Sequence, residues 1–366
     1  MRNETPRCDQ QQKHNGLAVS YSSAELLPNL SAPHHRGSFA ASFEPSTGSP
    51  ERKSLAPVRL ENREPSALEQ QKSRSEGTQP IRAIRAISPM RGGSQSQLML
   101  AEDLRLWVVK FMNNPQHLRV LANDFIATRI ALSIGLTVAR CDVIEVSQSL
   151  IERTPQLSIY RGAKGREPCC SGRQFGSLYA GGLIPRHVID FLPSDQLLDV
   201  GNLAEFAGIL AFDKWTGNTD GRQAVFRHAT NPFEYDALFI DQGLCFGGGD
   251  WTFRDAPLMG AFRQSCVYSK VAGWDNFEPW LTRIEQFSGD TLCTITKALP
   301  EEWYGDAPFE LEALLDTLLR RRSRVRDLID QFRNSGGVLF PEWRSSRHPE
   351  PRSQSHRETR QLNANS

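Results

Sequence analysis

Residues 104–136 set two apolar segments of different character back to back, and this pairing most narrows what the chain can fold into. The first, "LRLWVVKFM" (104–112), has the β-branched and aromatic content of a buried strand. The second, "HLRVLANDFIATRIALSIGL" (117–136), is long and apolar enough for a helix ended by Gly135. Side chains alternate along a strand, so Lys110 shares a face with Leu106 and Val108 while Trp107, Val109 and Phe111 point the other way. Both faces are apolar. With 366 residues, 39% of them hydrophobic, the chain can bury a full core in one large domain or two small ones.

The dense apolar pattern begins at "IRAIRAI", where Ile81, Ile84 and Ile87 recur, and it ends near residue 343. Residues 1–80, with stretches such as "SAPHHRGSFAASFEPSTGSPERK", and residues 344–366 lack a sustained apolar period, so both are expected to be disordered extensions. No run reaches the roughly 18 apolar residues of a membrane helix, and no secretory signal opens the chain; a cytoplasmic protein is expected. The seven cysteines have irregular spacing and read as reduced thiols, and a net charge of +1 gives no global attraction to nucleic acid or anionic membrane.

Within the central region, "QFGSLYAGG" and "RHVIDFLP" read as short strands and "VGNLAEFAGILAFDKW" as a mostly buried helix. "QAVFRH" and "ALFID" bracket "ATNPFEYD", whose Asn-Pro suits a hairpin loop. Over 308–333, Leu311, Leu314, Leu315, Leu318, Val325, Leu328, Ile329 and Phe332 recur at helical spacing. Strands first and helices after make an α+β domain.

Several polar residues interrupt these apolar runs. In "RGGSQSQL" (91–98) a glycine pair beside small polar residues lets backbone N–H groups approach an anion such as phosphate, and it serves equally as a plain hairpin turn. Lys110 is either an edge-strand lysine reaching water or a cleft-facing lysine bonded to a ligand or an acid. Asp124, in the helix that follows, is the acid that would hold it, or a solvated helix position. In "FDKWTGNTDGRQAVF" (212–226) and "LFIDQGLCFGGG", Asn218, Asp220, Gln223 and Asp241 are the oxygen donors that hard cations such as Mg²⁺ prefer, and each alone also suits a turn. Their order is the stronger signal: a glycine loop, a strand lysine, a helix acid, a loop aspartate before a hairpin, and an Asp-X-Gly at its end match the order in which kinases assemble phosphoryl transfer.

Through "MRGGSQSQL", "WVVKFMNNPQHLRVLANDFIATRIALSIGL", "FGSLY", "VIDFLP", "AGILAFDKWTGNTDGRQAVF", "ALFIDQGLCF" and the closing helix, residues 81–343 resemble the HipA-like kinases, within the atypical protein-kinase and phosphoinositide-kinase superfamily. The resemblance implies a bilobal protein-kinase-like fold, with a small β-rich N-lobe over about 81–190 and a mostly helical C-lobe over about 191–343. It implies that Gly92, Gly93 and Ser94 lie over the phosphates of ATP, that Lys110 contacts them and Asp124 orients Lys110, and that Phe191 marks the hinge beside adenine. Asp220 would be the catalytic-loop aspartate and Asp241 the Mg²⁺ ligand. The usual loop has a His soon after its Asp and an Asn five residues on; here those places hold Gly221, Arg222 and Val225, and a loop two residues shorter brings Gln223 to the asparagine's place as second metal ligand.

The implied activity is phosphotransfer from ATP to a hydroxyl, most readily Ser or Thr of an unidentified protein substrate. The competing reading is an inactive pseudokinase, a nucleotide-binding or interaction module on the same fold. Should Asp220 fail as the base, Asp213 is the alternative acid. A nucleic-acid surface at "LLRRRSRVR" (318–326) is the weaker reading, because Asp316, Asp327 and Asp330 dilute its charge.

Overall fold

Strand β1 (Ile81–Pro89) leads through the glycine-bearing turn into β2 (Gln97–Ala101) and on to β3 (Leu106–Lys110), an antiparallel succession. The computed structural model describes residues 79–182, 188–228, 234–305, 307–335 and 339–344; residues 1–78 and 345–366 of the expected extensions and 229–233 of the expected hairpin loop lie outside these. Strands β4 (Cys141–Val146) and β7 (Gly172–Leu178) complete a five-stranded closed barrel in the order β1-β2-β3-β7-β4, sealed where Ile81 pairs with Ile144. Between β4 and β7 come a short helix α2 (Gln148–Arg153) and a small hairpin of β5 (Ser158–Tyr160) and β6 (Arg166–Pro168). Register shifts in β1, between Ala83 and Arg85 and between Ala86 and Ser88, change which face its side chains meet. Ile81, paired with Ile144, is buried, whereas Ile84 and Ile87 are each 48% exposed.

Helix α1 (Val120–Ser133) follows β3 as expected and is buried through most of its length, and Gly135, at φ +82°, turns the chain out of it. After β8 (Val188–Ile189) and the short α3 (Ser194–Leu197), α4 (Glu205–Thr216) is buried from Phe206 to Thr216. The hairpin of β9 (Gln223–His228) and β10 (Tyr235–Ile240) pairs Gln223 with Ile240, and β8 lies along the outer side of β9. Helices α5 (Trp280–Glu285), α6 (Gly289–Lys297), α7 (Pro308–Arg321) and α8 (Val325–Asn334) finish the domain. The protein is thus α+β, β-rich in its N-terminal region and helical in its C-terminal region.

The continuous helical period over 308–333 breaks in the structure at a 3₁₀ turn, Arg322–Arg324. Trp215 Nε1 donates to the Leu318 carbonyl at 2.8 Å, and Arg321, 4% exposed, donates to the carbonyls of Trp215 and Lys214 and to Asp255. These bonds fix the end of α7 against the end of α4, and α8 follows the turn with Val325, Leu328, Ile329 and Phe332 still buried.

Candidate active site

β3 lies between β2 and β7, so Lys110 is on an interior strand and is 6% exposed; the edge-strand reading is excluded. Its Nζ donates to Asp124 Oδ2 at 2.7 Å and to Asp241 Oδ1 at 2.9 Å. Asp124, buried on α1, also accepts the Gln242 backbone N–H on Oδ1 at 2.9 Å. The helix acid thus reaches the lysine directly, one methylene shorter than a glutamate and with no bridging water. Burial pulls the Lys110 ammonium down, but the two carboxylates outweigh it and hold its pKa above the ordinary value. Burial pushes Asp124 up to about 6 against the pull of Lys110. For Asp241 burial also pushes upward, but Lys110 and Arg222 prevail and keep its carboxyl below the usual range, hence ionised.

Asp241 occupies the left-handed region at φ +60°, which costs a non-glycine residue energy and persists only where the surroundings enforce it. Arg222 does so from beneath, donating through Nη1 to the Ile240 carbonyl at 2.8 Å and the Asp241 carbonyl at 3.3 Å. On the other side stands Gly243, where an added Cβ would lie 2.6 Å from Val120 Cγ1, 2.8 Å from Asp124 Oδ2 and 3.4 Å from Lys110 Nζ. Only glycine lets the backbone pass this close to the lysine and its acid, which explains the Asp-X-Gly.

Arg222 is itself held in a buried fork by Asp213, with Nε on Oδ2 at 2.8 Å and Nη2 on Oδ1. Asn218 donates to Asp213 Oδ1 at 3.0 Å and accepts the Asp220 N–H at 3.1 Å. Asp213 is therefore spoken for, and its part is to carry Arg222 and Asn218; the alternative of Asp213 as base is withdrawn. Asp220 is exposed, accepts the Gly221 N–H at 2.8 Å, and receives Gln223 Nε2 at 3.3 Å. Register places Gln223 opposite Ile240, the residue before Asp241. Asp220 and Gln223 thus sit at the same end of the β9–β10 hairpin as Asp241.

The glycine turn closes with the Met90 N–H on the Ser96 carbonyl at 2.8 Å, and Gly92 has φ +123°. A Cβ on Gly93 would lie 3.2 Å from Gln116 Nε2, and the carbonyl of Ser94, itself buried, accepts from Asn114 Nδ2 at 3.4 Å. Gly93 and Ser94 are thereby set against the connection that leaves β3 after Lys110, while nothing lies within 4 Å of a Cβ placed on Gly92. A cleft of about 480 Å³ opens beside this connection, walled by Gln116, His117 and Arg119 on one side and by Leu244, Gly249, Asp250 and Glu310 on the other. Phe191 lies just after β8 and is 64% exposed, while its neighbour Leu192 is buried.

Among the described residues no cluster of three or more His, Cys, Asp or Glu could hold a metal by protein ligands alone. The donors present suit a hard cation of the Mg²⁺ kind, which takes one or two protein oxygens and leaves the rest to phosphates and water. Asp241, kept ionised, and the side-chain carbonyl of Gln223 are the candidates. The arginine run is mostly engaged: Arg321 and Arg324 pair with Asp255, Arg326 with Glu285, and Arg322 donates to the Phe287 carbonyl. A nucleic-acid surface there loses its free charge.

Reading the sequence left out Asn123 and Gln242 and saw Arg222 only as a departure. Asn123 and Asp124 form a polar pair inside an apolar helix, and that pairing was the available signal.

No family model and no curated protein matches the chain. Among solved structures it is similar to the Golgi casein kinase, at 12% identity and a TM-score of 0.44 over 71% of this chain and 75% of that one. It is similar to the Helicobacter pylori proinflammatory kinase CtkA, at 12% identity and 0.42 over 70% and 98%, and to HipA of Shewanella oneidensis MR-1, solved with HipB and operator DNA, at 15% and 0.35 over 74% and 73%. At this level of similarity no residue's role and no substrate passes from them to this chain.

Proposed function

We propose that residues 81–343 form an ATP- and Mg²⁺-dependent phosphotransferase of HipA-like type, acting on a Ser or Thr hydroxyl of a protein. The observation that carries this reading is the buried Lys110 held between a helix acid at 2.7 Å and a loop acid at 2.9 Å. An ammonium has three donors, and two are engaged here, which leaves one for a phosphate oxygen. Asp124 keeps the ammonium charged and aimed. Gly92, Gly93 and Ser94 cover the phosphates with backbone N–H groups, and Phe191 borders the adenine. Mg²⁺, held by Asp241 and Gln223, would supply charge neutralisation on the transferring phosphoryl group. Asp220, exposed and fixed through its own N–H by Asn218, orients the acceptor hydroxyl and takes its proton as the new P–O bond forms and the bond to the ADP bridging oxygen breaks.

One observation favours a binding module instead: five residues after Asp220 stands Val225, in β9 opposite Leu238, which offers no ligand oxygen. The two readings separate in one experiment on the full chain, ³²P transfer from ATP run beside calorimetric Mg²⁺–ATP binding. Asp220→Asn should keep nucleotide affinity and lose transfer by roughly 100-fold or more. Wild-type binding without transfer to protein, lipid or small-molecule acceptors would establish the module, and absence of binding would refute both.

A further inference from the structure

Directly before Asp124 on α1 lies Asn123, whose side chain is fully buried. A primary amide removed from water costs free energy unless its donors and acceptor are bonded. Asn123 finds every partner in one stretch of chain, the segment that follows Asp241. Its Nδ2 lies 2.9 Å from the Gly243 carbonyl, 3.1 Å from that of Cys245 and 3.0 Å from that of Gly248, and its Oδ1 accepts Trp251 Nε1 at 2.7 Å. Two hydrogens shared among three carbonyls mean that the segment is wrapped around this one side chain. Arg119, one turn earlier, adds an outer clasp: it lies 4.3 Å over the Trp251 ring and pairs with Glu310 at the start of α7.

The segment does not hold this shape by its own preference. Phe246 and Trp251 have φ of +63° and +54°, as do Gly247 and Gly248 in the same half-plane, at +80° and +85°. Aromatic residues in the left-handed region are strained, and such strain persists only where surrounding contacts impose it. Asn123 supplies those contacts. The link to the site is short: the Gly243 carbonyl held by Asn123 lies two residues after Asp241, and between them the Gln242 N–H is bonded to Asp124 Oδ1 at 2.9 Å.

We propose that Asn123 is a positioning residue for the phosphoryl-transfer site: by docking residues 243–251 on α1 it sets the carboxylate of Asp241 for the metal, while Asp124 beside it sets Lys110. This rests on the nucleotide–Mg²⁺ reading above. One helix thereby aligns the phosphate-binding lysine and the metal-binding aspartate through adjacent side chains. Undocking of 243–251 would weaken the metal arm and leave the lysine arm in place.

The test is ADP affinity of the full chain by calorimetry, with and without Mg²⁺, beside the rate of limited proteolysis within residues 243–254. Asn123→Asp is isosteric, keeps the acceptor for Trp251 and removes both donors. It should leave Mg²⁺-free ADP affinity within about twofold, cut the Mg²⁺ enhancement by roughly tenfold or more, and speed cleavage of the segment. Trp251→Phe, which deletes only the indole donor, should move both readouts the same way by a smaller factor, and it carries the test if Asn123→Asp does not fold. Faster cleavage with undiminished Mg²⁺ enhancement would overturn the inference, as would no change in either readout. Wild-type protein that binds no ADP would overturn the nucleotide reading itself, which is a different outcome from wild-type binding that the variants leave intact.

Discussion

Replacing Lys110 by methionine keeps the length of the side chain and removes its charge, which strands Asp124. That carboxylate is 1% exposed and would retain a single donor, the Gln242 N–H at 2.9 Å. Removing one partner of a buried ion pair costs about 3–5 kcal/mol. Here the lower end applies, because the Asp241 side chain is 32% exposed and can take up water where the lysine was. A loss of about 3 kcal/mol corresponds to a fall in Tm of roughly 6–12 °C for a domain of this size. The double variant Lys110→Met/Asp124→Asn should recover most of that loss, since the buried acid is gone and the asparagine oxygen still accepts from Gln242. Nucleotide binding should be lost in both. Urea unfolding with ADP calorimetry on the two variants reads the pair of effects. A single variant as stable as wild type, or a double variant no more stable than the single, would refute the stranded-charge argument; unchanged ADP affinity in Lys110→Met would refute the ligand role.

Two further outcomes are expected. Arg222→Lys keeps the charge but not the fork, so one ammonium cannot serve Asp213 and the carbonyls of Ile240 and Asp241 together; stability should fall by about 2–4 kcal/mol in urea unfolding, and wild-type stability would show that the fork is dispensable. Burial pushes the thiols of Cys141, Cys169 and Cys245 up to about 12, so the stability they contribute is complete below the unfolded thiol value of roughly 8.5 and is lost as pH climbs toward 12. Lys214, pulled down by burial to about 8, works the other way between pH 8 and 10.5. Three thiols outweigh one amine, so under reducing conditions stability should drop by roughly 2 kcal/mol between pH 9 and 10, and a flat profile would refute this account.

What could be read from the chain beforehand follows a physical rule. Lys110 and Asp124 were legible because a charge inside an apolar run must find a partner, and the run itself fixed the strand and the helix that bear them. Asp241 was legible from its place at the end of an apolar strand before a glycine. The pairing of β9 with β10 was legible in "QAVFRH" and "ALFID", two strand-like runs set on either side of an Asn-Pro. Illegible features all depend on partners far along the chain. The helix over 308–333 gives no local sign of its break, since the break is set by Arg321 reaching Asp255 and by Trp215 capping Leu318. Asp213 and Asp220 look alike in the sequence; only the return of Arg222 into the core shows which one is occupied. Ile84, three residues from Ile81, falls on the outward face of β1 by alternation alone, and the register shift between Ala83 and Arg85 turns Ile87 out as well.

The interior of the barrel and the surroundings of α1 belong to different packed clusters. Met99, Trp107, Val109, Ile144 and Val146 fill the barrel with the help of Leu150 and Ile159, whereas Leu121, Phe125, Ile126 and Ile130 of α1 pack with Phe206, Leu210, Trp280 and Trp303 of the helical part. Helix α1 thus belongs with the helical part, although it enters the chain between β3 and β4 and also rests on the barrel through Cys141 and Phe175. Lys110 ends a barrel strand and Asp124 belongs to the helix, so the 2.7 Å bond between them links the two packed clusters. The ion pair is in this sense a cross-brace: a single buried contact ties the end of a barrel strand to a helix whose own packing lies mostly elsewhere.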